Sequence, residues 1–193
     1  MFMMRPSFAA GHGRRRSAAR GASLIEVLVA LLILSFGMLA MAGLHAAAFR
    51  YGKMSQFRGV ATQLATEMAD RMRANVDGAM AGNYVHEEAY DSGASAVTVP
   101  ACANPAECTP AEIAEVDLAQ MLNTVRLALP GGGLYVERDA AQPNAYNVWV
   151  LWLDPEAHGN DEQDDSASLS GLCPEGAGVS SPRPQCMPVR VVL

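Results

Sequence analysis

Hydrophobic side chains are concentrated in one run near the N-terminus of this chain. From Leu24 to Ala48 the sequence is almost entirely apolar and carries a single formal charge, Glu26. A transmembrane helix needs about 20 predominantly apolar residues, and residues 27–48 supply 22. This run therefore predicts a helix that crosses a bilayer.

Beyond this run the hydrophobic pattern narrows to one side of a helix. Large apolar side chains recur every three or four positions: Phe57, Val60, Leu64, Met68 and Met72. This spacing is typical of an amphipathic helix that docks on a globular body. We therefore predict one long helix from Ala22 to Asn75, ended by Asn75, Asp77 and Gly78.

A second helix is predicted to begin at Thr109. Thr109 suits the N-cap, Pro110 the first helical position and Glu112 the first turn. The expected buried side consists of Ile113, Val116, Met121 or Leu122, and Val125. The turn-forming sequence Pro-Gly-Gly-Gly at residues 130–133 ends this helix.

Strand patterns follow in the last third of the chain. The predicted strands are Leu134 to Arg138, Tyr146 to Leu153 and Met187 to Leu193, and a weaker strand pattern lies at Ala96 to Val99. In the middle strand Trp149 and Trp152 point to opposite faces, which predicts that both faces are covered, one of them by the long helix. The order of elements predicts an α+β fold with a helix laid on a small antiparallel sheet.

Charge is divided as unevenly as hydrophobicity. The first 21 residues contain five arginines and no acid, whereas the remainder holds nine basic and 20 acidic residues, a formal charge of −11. Arginines that precede a membrane span stay on the cytoplasmic side, which places the rest of the chain outside. The acidic remainder argues against nucleic acid as a partner, because phosphate binding needs clustered Lys and Arg.

The four cysteines all lie after the apolar run. An even number in this position favours disulfides in an oxidising compartment such as a bacterial periplasm. Three pairings are available, and we favour Cys102–Cys108 and Cys173–Cys186 because each closes a short loop that contains proline. A structural zinc site is the alternative, but the sequence has no Cys-x-x-Cys pair to support it.

The connection from Asp154 to Gln185 is unusually long and acidic. Its carboxylates include Asp154, Glu156, Asp161, Glu162, Asp164 and Asp165. Their spacing does not match a calcium-binding EF-hand loop. We expect a solvated acidic loop that contacts a partner subunit or surface.

The sequence gives no sign of an active site. The four histidines are His12, His45, His86 and His158, and none lies in a hydrolase, metalloprotease or nucleophilic Cys–His pattern. Cysteines held in disulfides do not act as thiolates. We therefore predict a protein that is not an enzyme and that binds neither a cofactor nor a metal.

Glu26 is the residue that an ordinary membrane segment would not contain. A charge is costly inside a bilayer, so a carboxylate at the start of the span needs a partner. A secretory signal peptide is the simpler alternative, with Ala46 to Ala48 as a cleavage pattern. Its apolar core has only about 7–15 residues, however, and it gains nothing from Glu26.

Cleavage after Gly21 supplies such a partner. The new amine at Ala22 lies four residues before Glu26, and in a staggered neighbouring copy it can meet the Glu26 carboxylate. Opposite charges about 4 Å apart attract with roughly 4 kcal/mol at an effective dielectric constant near 20, before desolvation is subtracted. This contact would set the stagger between subunits.

The segment Arg20-Gly21, followed by Ser-Leu-Ile-Glu-Val-Leu-Val-Ala at residues 23–30, resembles the processing signal of type IV pilins and type II secretion pseudopilins. In that family a prepilin peptidase cuts after the glycine and methylates the new amine, and the glutamate directs assembly. The resemblance implies these roles for Gly21, Ala22 and Glu26. The leader is longer than is usual, and Ala22 replaces the usual Phe.

Two further segments resemble the PilV-type minor pilins, or type IV pilus modification proteins. They are residues 34–44 and residues 65–75, the second with the sequence ATEMADRMRAN. The resemblance implies a type IV pilin-like fold and a role in starting or modifying pilus assembly, with other pilins, the prepilin peptidase and the inner membrane as partners. The alternatives are a type II secretion pseudopilin and a periplasmic binding protein held by an uncleaved anchor.

These observations predict four parts of the chain. Residues 1–21 are a cleaved leader, residues 22–48 a transmembrane and filament-core helix, residues 49–76 its amphipathic continuation and residues 77–193 a periplasmic α+β domain. The expected location is the inner membrane, crossed once, and afterwards the pilus.

Overall fold

The computed structural model describes Gly21 and residues 23–102, 107–154, 169–178 and 183–193. The chain divides into two units, Met1–Ala48 and Phe49–Leu193. The leader arginines, Ala22, His12, His158 and the acidic residues 156–165 lie outside the described residues. The predictions made for them therefore stay predictions.

The long helix α1 spans Leu24–Ala74 and runs through both units. Its apolar stripe behaves as the spacing predicts, because Leu64, Met68 and Met72 are buried in the core. Small residues alternate with them, so Ala61, Ala65 and Ala69 are buried as well. This half of α1 is therefore covered by the body that follows it in sequence.

Asn75 ends α1 with non-helical backbone angles, and the helical conformation then resumes. A short helix α2, Val76–Met80, begins directly after Asn75, whose side-chain oxygen accepts a hydrogen bond from the Gly78 N–H. The long helix therefore ends where the sequence predicts, whereas Asp77 and Gly78 lie within α2, which the N-cap at Asn75 starts.

Helix α3 spans Pro110–Ala128 and has the predicted N-terminus. The Thr109 side chain accepts from the Glu112 N–H while the Glu112 carboxylate accepts from the Thr109 N–H, a complete capping box. The buried side was only partly predicted. Met121, Leu122 and Val125 are buried, but Ile113 is exposed and its neighbour Ala114 is buried instead.

The sheet consists of three antiparallel strands in the order β1-β2-β3. The strands are β1 Gly133–Arg138, β2 Ala145–Trp152 and β3 Gln185–Val192. They match the predicted segments within two residues at each end. The fold is therefore α+β and pilin-like, a long N-terminal helix packed on a small antiparallel sheet.

Each face of the sheet has its own hydrophobic cluster. Val148, Val150 and Trp152 join the main core with residues of α1 and α3. Trp149 and Leu151 belong to a second cluster on the other face. This second face is covered by the short 3-10 turns Ser170–Leu172 and Glu175–Ala177. Both faces are covered, as the opposed indoles predicted.

The weak strand pattern at Ala96 to Val99 was wrong. This segment is irregular, and the side-chain amide of Asn123 on α3 hydrogen-bonds both backbone groups of Val97. Both bonds are 2.8 Å long. One amide side chain therefore replaces the neighbouring strand that an extended backbone otherwise needs.

Candidate processing and assembly site

The residues of the predicted processing site lead directly into α1. Gly21 and Ser23 precede the helix, and the Ser23 carbonyl accepts the first helical hydrogen bonds from the N–H groups of Glu26 (2.9 Å) and Val27 (3.3 Å). Ser23 therefore occupies the N-cap position, and the peptide bonds on either side of Ala22 lie before the helix.

Glu26 lies in the first turn of α1 and is exposed. A carboxylate in this position is stabilised by the partial positive charge of the helix N-terminus. Within the described part of the chain Glu26 forms no ion pair. Its side chain is thus presented outward at the start of the apolar surface, where a second subunit can reach it.

The surface of α1 from Leu24 to Ala48 is exposed and almost entirely apolar. The helix is long and apolar enough to cross a membrane, and none of the residues in its most apolar 18-residue stretch is buried. Large side chains such as Phe36 and Leu44 are 65% and 72% exposed. A surface of this kind requires lipid or the helices of other subunits to cover it.

A polar network fastens the other end of α1 to the body. The Arg71 guanidinium donates to Asp117 Oδ1 on α3 at 2.9 Å and to Glu67 Oε1, one turn earlier on α1, at 2.9 Å. Tyr84 donates to Asp117 Oδ2, and Asn75 Nδ2 donates to the Pro110 carbonyl at 2.7 Å. The network joins α1, the turn after α2 and the start of α3.

Sequence reasoning missed this network. The sequence pattern places Arg71 only within a motif and Asn75 also at the end of the helix, and it does not single out Tyr84 and Asp117. The available signal was an arginine next to the apolar stripe near the end of the helix. A partly buried arginine requires a carboxylate partner.

All four cysteines are paired in the structure. Cys102 is bonded to Cys108, and Cys173 to Cys186, the two pairings that the sequence analysis favours. Cys186 is buried in the second hydrophobic cluster. The Cys173–Cys186 bond therefore ties the 3-10 turns to β3 and holds them over the outer face of the sheet.

A cavity of about 180 Å³ lies between the segment 86–94, α3 and β1. Burial lowers the pKa of His86. The positive charge of Arg126 also lowers this pKa, whereas the negative charge of Glu88 raises it. Burial also raises the pKa of Tyr90 to about 12, and its hydroxyl donates to the Gly131 carbonyl at 2.6 Å. Among the described residues no group of three or more His, Cys, Asp or Glu side chains is arranged to hold a metal ion.

Comparison with known proteins identifies the N-terminal segment. Residues 16–42 match the family model described as the prokaryotic N-terminal methylation motif. No curated protein and no solved structure matches the chain significantly. The matched segment contains Gly21, Ala22 and Glu26 and covers the first third of α1.

The motif and the fold agree in the class of protein that they indicate. A prepilin-type methylation motif followed by a long helix packed on an antiparallel sheet indicates the type IV pilin and pseudopilin superfamily, whose members are generally structural proteins. The motif implies processing by a prepilin peptidase and assembly with other pilins. The apolar helix and the motif are consistent with anchoring in the inner membrane before assembly.

Proposed function

We propose that this chain is a PilV-type minor pilin, which starts or modifies the assembly of a type IV pilus. The observation that carries the proposal is the exposed Glu26 at the start of an uncovered apolar helix, directly after the predicted cleavage site. The segments at residues 34–44 and 65–75 support the PilV type through their sequence.

In this proposal the peptidase cuts between Gly21 and Ala22 and methylates the new amine. The leader 1–21 is lost, residues 22–48 hold the subunit in the inner membrane, and residues 49–193 lie in the periplasm. On assembly the amine of one copy meets the Glu26 carboxylate of its neighbour. The exposed apolar side chains of α1 are then covered by other pilin helices rather than by lipid.

Mass spectrometry of the protein isolated from its own membranes tests the processing step. We expect a chain that begins with methylated Ala22. A chain that retains residues 1–21 would instead show a periplasmic protein on an uncleaved anchor and would contradict every filament role.

Replacement of Glu26 tests the assembly step. Glu26→Gln keeps the size of the side chain and removes its charge, so we expect normal cleavage and stability but loss of the subunit from sheared pili. Asp70→Asn is the matched control, because Asp70 is an exposed acid on the same helix and forms an ion pair with Arg73 three residues away. Equal incorporation of wild type and Glu26→Gln would refute the role of Glu26.

A deletion strain separates the pilus from secretion. The motif is shared by pilins and pseudopilins, so a strain that lacks this chain must be scored for both surface pili and secreted proteins. Loss of pili with normal secretion supports the minor pilin. The reverse result would assign the chain to a type II secretion system.

A further inference from the structure

A short stretch of α1 is neither part of the apolar run nor covered by the body. It comprises residues 49–53, Phe-Arg-Tyr-Gly-Lys, and we refer to it as the collar. The apolar run ends at Ala48, and the first helix residue that the body partly covers is Met54. Every residue of the collar is exposed, with Phe49 at 75% and Tyr51 at 73%.

Both charged residues of the collar are basic. Arg50 and Lys53 are three residues apart, so they lie on one side of the helix. No acidic residue occurs in the 40 residues between Glu26 and Glu67. The charged side chains of the collar are therefore both basic, and so are all the other formally charged side chains between Glu26 and Glu67.

The rest of the periplasmic part has the opposite charge. Residues 77–193 contain four basic and 17 acidic residues, a formal charge of −13. A body of this charge is repelled by an anionic membrane surface. The collar lies along the helix between the membrane-spanning run and the residues that carry the body, which is where that repulsion must be offset.

Position and composition identify the partner. Residues 27–48, at 1.5 Å for each helical residue, are long enough to cross a hydrocarbon core of about 30 Å. The next residues therefore enter the headgroup layer, where aromatic rings and the ends of Arg and Lys side chains prefer to lie. Phe49 and Tyr51 supply the rings, and Arg50 and Lys53 supply the cations.

We propose that the collar binds the phosphate groups of anionic phospholipids in the periplasmic leaflet and holds the subunit at a fixed depth until it enters the filament. This inference rests on the membrane anchoring in the proposed function. It goes further by assigning a lipid-binding role to Arg50, Tyr51 and Lys53, with Phe49 as an apolar contact.

The test uses the full mature chain, reconstituted in phosphatidylcholine vesicles that contain spin-labelled phosphatidylglycerol or spin-labelled phosphatidylcholine. Electron paramagnetic resonance then measures the fraction of each label that the protein immobilises. Each cation near an anionic surface contributes about fivefold to attraction, so we expect the wild type to prefer phosphatidylglycerol by at least about fivefold. High salt should reduce this preference.

The decisive variant is the double substitution Arg50→Gln with Lys53→Gln. It should reduce the preference for phosphatidylglycerol to less than about twofold. Arg50→Lys with Lys53→Arg keeps both charges and should retain the preference. Arg73→Gln removes a cation near the far end of the same helix and should also retain it. A double variant that keeps the full preference, or a wild type without one, would overturn the proposal.

Resistance to alkaline carbonate extraction is measured on the same samples. If the wild type resists extraction but shows no lipid preference, the collar proposal fails while the membrane anchor stands. If the protein is extracted, the anchor itself fails. A double variant that keeps the lipid preference but loses piliation would mean that the collar pairs with the acidic body of another copy, which also overturns the lipid assignment.

Discussion

The hydroxyl of Tyr84 donates a 2.6 Å hydrogen bond to Oδ2 of Asp117. Tyr84 is fully buried, while the other oxygen of Asp117 accepts from Arg71 at the end of the long helix. Burial and the adjacent Asp117 carboxylate both raise the pKa of Tyr84. One carboxylate thus joins a loop tyrosine to the helix that carries the processing motif.

Tyr84→Phe should lower the free energy of unfolding by about 1–3 kcal/mol, because it leaves an oxygen of the partly buried Asp117 carboxylate without its donor. The measurement is denaturant unfolding of the mature chain in detergent, followed by circular dichroism. Tyr51→Phe removes the same hydroxyl at an exposed position and should change stability by less than about 0.5 kcal/mol. Equal effects of the two substitutions would show that the network does not fasten α1.

Substitution by alanine is expected to change the free energy of unfolding in opposite directions at Gly78 and Gly59. A Cβ at Gly78 would lie 2.6 Å from the Pro110 carbonyl oxygen, whereas nothing lies within 4 Å of a Cβ at Gly59. Gly78→Ala should therefore cost about 1–3 kcal/mol of unfolding free energy through overpacking. Gly59→Ala should be neutral or stabilise by up to about 1 kcal/mol, because alanine favours the helix.

Both glycine variants are compared by thermal unfolding of the mature chain in detergent. The sign of the difference between them is the result that matters, since it follows from the space around each Cα rather than from the residue type. Stabilisation by Gly78→Ala would contradict the close approach of α2 to the start of α3.

Removal of the Cys173–Cys186 bond should release the 3-10 turns from the outer face of the sheet. The Trp149 indole donates to the Leu172 carbonyl at 3.0 Å, so its surroundings report on this release. Cys173→Ser with Cys186→Ser should cost about 3 kcal/mol and shift the emission of Trp149 to longer wavelength.

This experiment is done in a Trp152→Phe background, because Trp152 is buried in the main core and would obscure the signal. Cys102→Ser with Cys108→Ser is the control, since that bond does not belong to the cluster that contains Trp149. Unchanged emission in the Cys173 and Cys186 variant would show that the turns stay in place without the disulfide.

His86 should make stability depend on pH. Its folded pKa lies below 6.5, mainly because burial disfavours the charged form. The unfolded chain therefore binds a proton first as pH falls, so the stabilising contribution of neutral His86 is complete above pH 6.5 and is lost progressively below it. The affected window extends from about pH 6.5 down to the folded pKa.

The measurement is the free energy of unfolding against pH for wild type and His86→Gln. We expect the wild type to lose more stability than the variant as pH falls through this window. The carboxylates are common to both proteins, so their contribution to the pH dependence cancels in the comparison. Glu88 and Arg126 act on His86 in opposite directions, so Glu88→Gln should lower the His86 pKa further. Parallel pH profiles would mean that His86 is protonated equally easily in both states.

The sequence by itself determined the features that depend on neighbours along the chain. An apolar run of sufficient length, the stripe that ends in Met72 and the capping box at Thr109 each follow from contacts within about four residues, so their patterns were readable. The processing motif is also local, because a peptidase recognises a short segment of chain. The strands were readable for the same reason, since side chains alternate between faces.

Only the tertiary structure decided which groups from distant parts of the chain meet. The pairing of Val97 with Asn123 and the contacts of Arg71 and Tyr84 with Asp117 join residues that are far apart in sequence. The burial of Ala114 instead of Ile113 depends on how α3 packs against its neighbours. Such contacts depend on how elements pack and on which buried polar group needs a partner. No periodicity along the chain encodes them.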